Sequence, residues 1–98
     1  MDLQTATTAL RNKVGASSDL GATLKFDCGD DGVIVIDGVS TPSTVDNNNR
    51  DTDCTITLSV DTLSEMMSGE LNPTTAFMTG RIKVSGDMGV ALKLQSVF

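Results

Sequence analysis

Histidine, tryptophan and tyrosine are absent from this chain of 98 residues, and only three phenylalanines, two prolines and two cysteines occur. Without histidine there is no Cys–His or Ser–His catalytic pair, and most zinc sites lose their usual ligand. Cations are scarce as well. Seven Lys and Arg are scattered among thirteen Asp and Glu, for a net charge of −6; gripping a phosphate backbone needs clustered basic residues, so nucleic acid is excluded as a partner. The same balance disfavours adsorption to anionic membranes. No apolar run approaches the ~18 residues of a spanning helix, so stable membrane insertion is not expected. Met1-Asp2-Leu3-Gln4 lacks the basic and apolar regions of a signal peptide. The expectation is a cytoplasmic protein, a single domain over residues 1–98 with one core.

What is present reads as a half-buried sheet with helices. Residues 2–13 fit a short helix with Leu3, Ala6, Ala9, Leu10 and Lys13 on one side, and residues 14–19 form a loop by composition. Residues 22–28 alternate, with Leu24, Phe26 and Cys28 on one face and Thr23, Lys25 and Asp27 on the other. Gly29-Asp30-Asp31-Gly32 is a hairpin loop; its two aspartates are turn residues rather than a carboxylate pair for acid–base work, since nothing there would separate their pKa values. Residues 33–37, Val-Ile-Val-Ile-Asp, are apolar on both faces. That excludes an exposed edge, and either face could meet the core.

The polar segment from Gly38 to Asp53 reads as a solvated loop. A calcium loop beginning at Asp46 fails on spacing, because Arg50 takes the fifth position, Asp51 stands where the turn needs Gly, and Thr57 stands where a bidentate Glu belongs. A third strand then alternates through Cys54, Ile56, Leu58 and Val60. Cys28 and Cys54 fall on apolar rows, which favours small free core residues over a disulfide.

The last third carries the richest pattern. Thr62 and Glu65 spell a T-x-x-E capping box, predicting a helix from about Leu63 to Ser68, with Gly69 as its stop and Leu71 packing back on the last turn. Asn72 as N-cap and Pro73 at the first helical position restart a helix whose buried side carries Phe77 and Met78. Arg81–Ser85 alternates as a strand with Ile82 and Val84 inward. Asp87 caps a final helix in which Val90, Leu94, Val97 and Phe98 form one apolar row and Met88, Ala91 and Leu92 a second.

The run GELNPTTAFMTGRIKVSGDMGVALKLQ, Gly69 to Gln95, closely resembles the defining segment of the sterol carrier protein type 2 family, with its Gly-x-x-Asn/Asp-Pro, Ala-Phe, Gly-x-x-Lys-x-x-Gly and Leu-Ala-x-Lys-Leu elements in order. Residues 53–57 and the helix after them are similar too, while residues 1–50 agree only in pattern. The resemblance implies an α+β fold: a mostly antiparallel single sheet, helices packed on one face, and an apolar pocket between the layers. Both ends of this chain are shorter than is usual in that family.

Such a pocket would be lined by Phe26, Ile34 and Ile36 from the first two strands, by Ile56 and Leu58 from the third, and by Leu63, Met66, Met67 and Leu71 from the helix and its stop. Phe77, Met78, Ile82 and Val84 would follow, then Met88, Leu92 and the polar Gln95. For the strand residues plain core is the commoner role. The expected function is noncatalytic binding, and transfer within the cell, of a fatty acid, fatty acyl-CoA, phospholipid or sterol-like molecule by a monomer that needs no cofactor and no metal. The competing reading is an accessory module that presents a lipid substrate to a partner enzyme.

Overall fold

Alternation along the strands builds the sheet. In the structure, a computed structural model that describes residues 2–14, 21–39 and 43–97, with side chains up to Lys93, the buried Leu24 and Phe26 of β1 (Thr23–Asp27) share one face. Opposite them on β2 (Val33–Asp37) stand Ile36 and Ile34, and on β4 (Cys54–Thr57) Cys54 and Ile56. Val84 of β5 (Lys83–Gly86) faces Ile56, and Val45 of β3 (Thr44–Asp46) faces Ile36. The order is β3-β2-β1-β4-β5. Among the described residues only the β1–β4 pair is parallel, so the sheet is mixed but mostly antiparallel. The inward rows of the five strands, even-numbered on β1, β2, β4 and β5 and Val45 on β3, therefore form one apolar surface, and the helices cover it.

α1 (Leu3–Val14) begins where the Thr5 N–H donates to Asp2 Oδ1 at 2.8 Å. Ala6, Leu10 and Val14 are its buried stripe, while Lys13, expected on that side, is exposed because the stripe turns through Val14 instead. Arg11 Nη2 donates to the Val45 carbonyl at 2.7 Å and ties the helix to the sheet edge.

The polar segment Gly38–Asp53 is not one solvated loop. It contains β3, whose single inward residue, Val45, is buried. Beyond it, residues 47–53 are pinned across the back of the sheet: Lys25 Nζ donates to Asn49 Oδ1 and to the Arg50 carbonyl, both at 3.0 Å, and Asp53 Oδ2 accepts from the Thr23 N–H at 3.0 Å. This crossing carries the chain from one side of β1 to the other, which is why β4 lies parallel to it. It also explains why β2 is buried on both faces, Val35 outward and Ile34 and Ile36 inward. The Asp46 carboxylate, the first residue of the rejected calcium loop, is held by the Arg50 guanidinium at 3.0 Å, which lowers its pKa.

β4 stops at Thr57, short of the predicted Val60, because α2 (Val60–Ser68) starts earlier than expected. Its N-cap is Ser59, whose hydroxyl accepts from the Thr62 N–H at 3.1 Å. The Thr62–Glu65 capping box does not form: Thr62 is buried inside the helix, and Glu65 makes an ion pair with Arg81. Gly69 ends α2 at φ 85, and Leu71 donates its N–H to the Glu65 carbonyl while packing on the core.

Candidate functional site: an apolar groove between α3, β5 and α4

α3 (Pro73–Met78) begins as its Asn-Pro start demands. Asn72 Oδ1 accepts from the Thr74 N–H at 2.8 Å, and Pro73 holds the first helical position. Six residues give room for one anchoring side chain, and the buried Ala76 fills that place. Its carbonyl accepts from the N–H groups of Arg81 and Ile82, so the chain leaves α3 straight into β5, which starts at Lys83 rather than Arg81. Phe77 and Met78, expected on the buried side, are 49% and 79% exposed. A helix this short, anchored through a residue as small as Ala76, has no depth left for them.

α4 (Met88–Val97) is started by Asp87, whose Oδ1 accepts from the Gly89 N–H at 2.8 Å. Val90 is buried and seats the helix on the sheet. Met88, Ala91 and Leu92 fall at i, i+3 and i+4, a separate stripe aimed at α3. Leu94, Val97, Phe98 and Gln95 lie outside the side chains described.

Between these elements lies a groove with a cavity volume of about 100 Å³. Ile56 and Ile82 form its buried base and Val84 its sheet-side wall; Pro73, Thr74 and Phe77 of α3 and Met88, Ala91 and Leu92 of α4 complete it. Among the described residues none that lines the groove is charged, and Thr74 is the single hydroxyl. Phe77 and Met88 are each about half exposed and Leu92 is 69% exposed. Solvent-exposed hydrocarbon clustered around a concave surface is what marks a binding site on a soluble protein.

Of the residues expected to line a pocket, the fold brings Ile56, Phe77, Ile82, Val84, Met88 and Leu92 to this groove. Phe26, Ile34, Ile36 and Leu58, beneath the helices, and Leu63 of α2 are packed in the core. Met66 and Met67 are buried too, and with Leu71 and Lys13 they border a second, shallower cleft of about 370 Å³ on the far side of Pro73. Met78 lines neither. Pro73, Thr74 and Ala91 were not anticipated as lining: Pro73 read only as part of a helix start, Thr74 carried no signal, and Ala91 was visible as a member of the second apolar row.

The two thiols are poorly suited to chemistry. Cys28 and Cys54 are free and buried. Burial, with Asp31 and Asp27 nearby, pushes the Cys28 thiol up to about 11, and burial raises Cys54 as well. Thiolate, the reactive form, is therefore scarce at neutral pH. Among the described residues no helix is long and apolar enough to cross a membrane.

The architecture is that of an α+β protein with a one-sided helix layer and a hydrophobic groove at one end of that layer. The chain belongs to the SCP-2 sterol transfer family, which it matches over residues 3–98. It is 44% identical over 55 residues to Sterol carrier protein 2 of Bos taurus, covering 56% of this chain and 10% of that much longer relative. Over 33 residues it is 52% identical to Hydroxysteroid dehydrogenase-like protein 2 of Xenopus tropicalis, covering 34% of this chain and 8% of that protein. The solution structure of palmitated SCP2L2 from Aedes aegypti superposes with a TM-score of 0.74 at 22% identity, over 99% of this chain and 94% of that one. The fold is therefore shared across nearly its whole length.

Proposed function

We propose that the groove between α3, β5 and α4 takes up the hydrocarbon part of a hydrophobic ligand: a fatty acid, fatty acyl-CoA, phospholipid or sterol-like molecule. The observation that carries this reading is a groove whose described lining is uncharged, with Phe77 and Met88 about half exposed and Leu92 more so around it. Each ligand methylene covered there contributes about 0.8 kcal/mol and asks for no directional partner. The palmitated state of the Aedes aegypti relative and the name of the bovine one support it.

Size matters to how binding proceeds. Ligand pockets usually enclose about 300 Å³ or more, and an apolar cavity of that size kept empty would cost on the order of 7 kcal/mol, close to the whole stability of a small domain. A narrow groove that widens around its guest avoids that cost. Met88 suits the task, being unbranched and polarizable, and Phe77 and Leu92 are free on one side to swing outward. The role is noncatalytic, that of a cytoplasmic monomer that holds and passes on its ligand.

Native mass spectrometry of freshly purified protein, followed by solvent extraction, tests this. A mass increment that disappears on denaturation and extracts as a lipid is expected. A clean apo mass, with no rise in melting temperature on adding fatty acids or acyl-CoA, would refute it.

A second reading is favoured by Met78, which is largely exposed just outside the groove. In that reading the chain presents the lipid to a partner enzyme. A protein that copurifies at moderate salt and is released by Met78→Asp would support it.

A further inference from the structure

The described methionines fall into three settings. Met66 and Met67 are 2% and 9% exposed in the core, Met78 is exposed outside the groove, and Met88 is half exposed with its side chain on the groove wall. Met1 lies outside the described residues. A thioether reacts with peroxide only where peroxide reaches it, so the core pair is shielded and the other two are open. The usual competitors for peroxide are thiolates; both thiols are buried and kept protonated at neutral pH. Among the described residues the methionines at 78 and 88 are thus the accessible two-electron targets, and only one of those two lines the groove.

We propose that Met88 is an oxidation-controlled element of the groove: its conversion to methionine sulfoxide expels a hydrophobic occupant, and reduction restores binding. This rests on the reading of the groove as a hydrocarbon site. In the step, a sulfur lone pair attacks one oxygen of a hydroperoxide, the O–O bond breaks, and the second oxygen leaves with a proton as water or alcohol. The sulfur is oxidised by two electrons and the peroxide reduced by two. The product carries an S=O dipole where a ligand chain would lie against Met88. Among the described residues every other lining side chain except that of Thr74 is hydrocarbon, so ligand binding would bury that dipole largely unsatisfied. The expected consequence is about tenfold weaker binding. Methionine is suited to such a switch because its sulfoxide is enzymatically reversible.

The experiment exposes the full chain to graded hydrogen peroxide, locates sulfoxide by peptide mass mapping, and titrates each sample with a fluorescent fatty acid. Met78 and Met88 should oxidise at least tenfold faster than Met66 and Met67 in the folded protein. Affinity should fall in step with Met88 sulfoxide, with the melting temperature nearly unchanged, and return after treatment with methionine sulfoxide reductase. Met88→Leu, whatever its starting affinity, should keep that affinity through the treatment, and Met78→Leu should remain as sensitive as the unsubstituted chain. Full oxidation of Met88 with unchanged affinity, an equal loss in Met88→Leu, or a loss that merely follows unfolding would each overturn the proposal. Failure of the untreated protein to bind any fatty acid would instead overturn the hydrocarbon-site reading, and this proposal with it.

Discussion

Removing the Phe77 ring should weaken ligand binding by about tenfold or more while leaving the protein folded. A phenylalanine can bury about 200 Å², and with the side chain 49% exposed on the groove wall, on the order of 100 Å² is left for a ligand to cover. At roughly 25 cal/mol per Å² this is about 2.5 kcal/mol, or a loss near 60-fold as an upper limit. Incomplete shape fit brings the expected loss for Phe77→Ala to about 10- to 50-fold. The fold loses only what the covered half contributes, about 1.5–2 kcal/mol, against about 3–5 kcal/mol for a fully buried ring. Met78→Ala is the control: it removes a more exposed apolar side chain next door that lines no part of the groove. Displacement of a fluorescent fatty acid, measured alongside urea unfolding, separates the two effects. Phe77→Ala that stays folded and binds within twofold of the parent, or Met78→Ala that loses as much as Phe77→Ala, would refute the placement of the ligand in this groove.

Other consequences concern the frame that holds the groove. A Cβ at Gly86, where φ is 101, would sit 2.5 Å from the Asp53 carbonyl oxygen, whereas one at Gly69, φ 85, would meet nothing. Gly69→Ala should therefore cost about the 1–2 kcal/mol of left-handed backbone, and Gly86→Ala clearly more in the same urea titration, since it must also push β5 off β4. Ser59→Ala should cost about 1 kcal/mol by removing the observed cap of α2; equal stability of that variant would contradict the capping assignment. The Cys28 thiol is held protonated in the folded state up to about 11, from an ordinary value of 9.0. Because the unfolded chain releases this proton first, stability is full below pH 9 and falls as the pH rises toward 11. Thiolate absorbance followed against pH, native and in urea, should show the native midpoint above the unfolded one.

Much of this architecture was legible in the chain because the controlling residues act locally. Leu24 and Phe26 alternate with polar neighbours, Asn72-Pro73 starts a helix and Gly69 stops one, and each of those features appears where the local chemistry puts it. β3 escaped notice because three residues with one apolar member, Val45, carry no period; it forms through its pairing with β2 and its contact with Arg11. The α2 cap was displaced by one turn because Ser59 and Thr62 both have a capping hydroxyl, and only the point where β4 ends decides between them.

The site itself was half legible for a related reason. Residue type indicates what is apolar, and all of the expected lining residues but Gln95 are. It does not say which apolar residues the sheet and helices will bury against each other. Phe26, Ile34 and Ile36 of the sheet and Leu63 of α2 are packed into the core, while Phe77 and Leu92, on a short helix and on a stripe of α4 turned away from its Val90 seat, are left facing the groove. Anchoring by one small residue, Ala76, determines that outcome, and this depends on how closely α3 approaches the sheet.

Methyl-selective NMR during titration with a fatty acid tests the central claim most directly. The Met88 and Leu92 methyls, with Ile56, Ile82 and Val84, should shift and show contacts to the acyl chain, while Met78 and the core Leu63 and Met66 should stay nearly still. Acyl contacts to Met66, Met67 and Leu71 with Met88 and Leu92 unmoved would place the ligand in the other cleft and contradict the account.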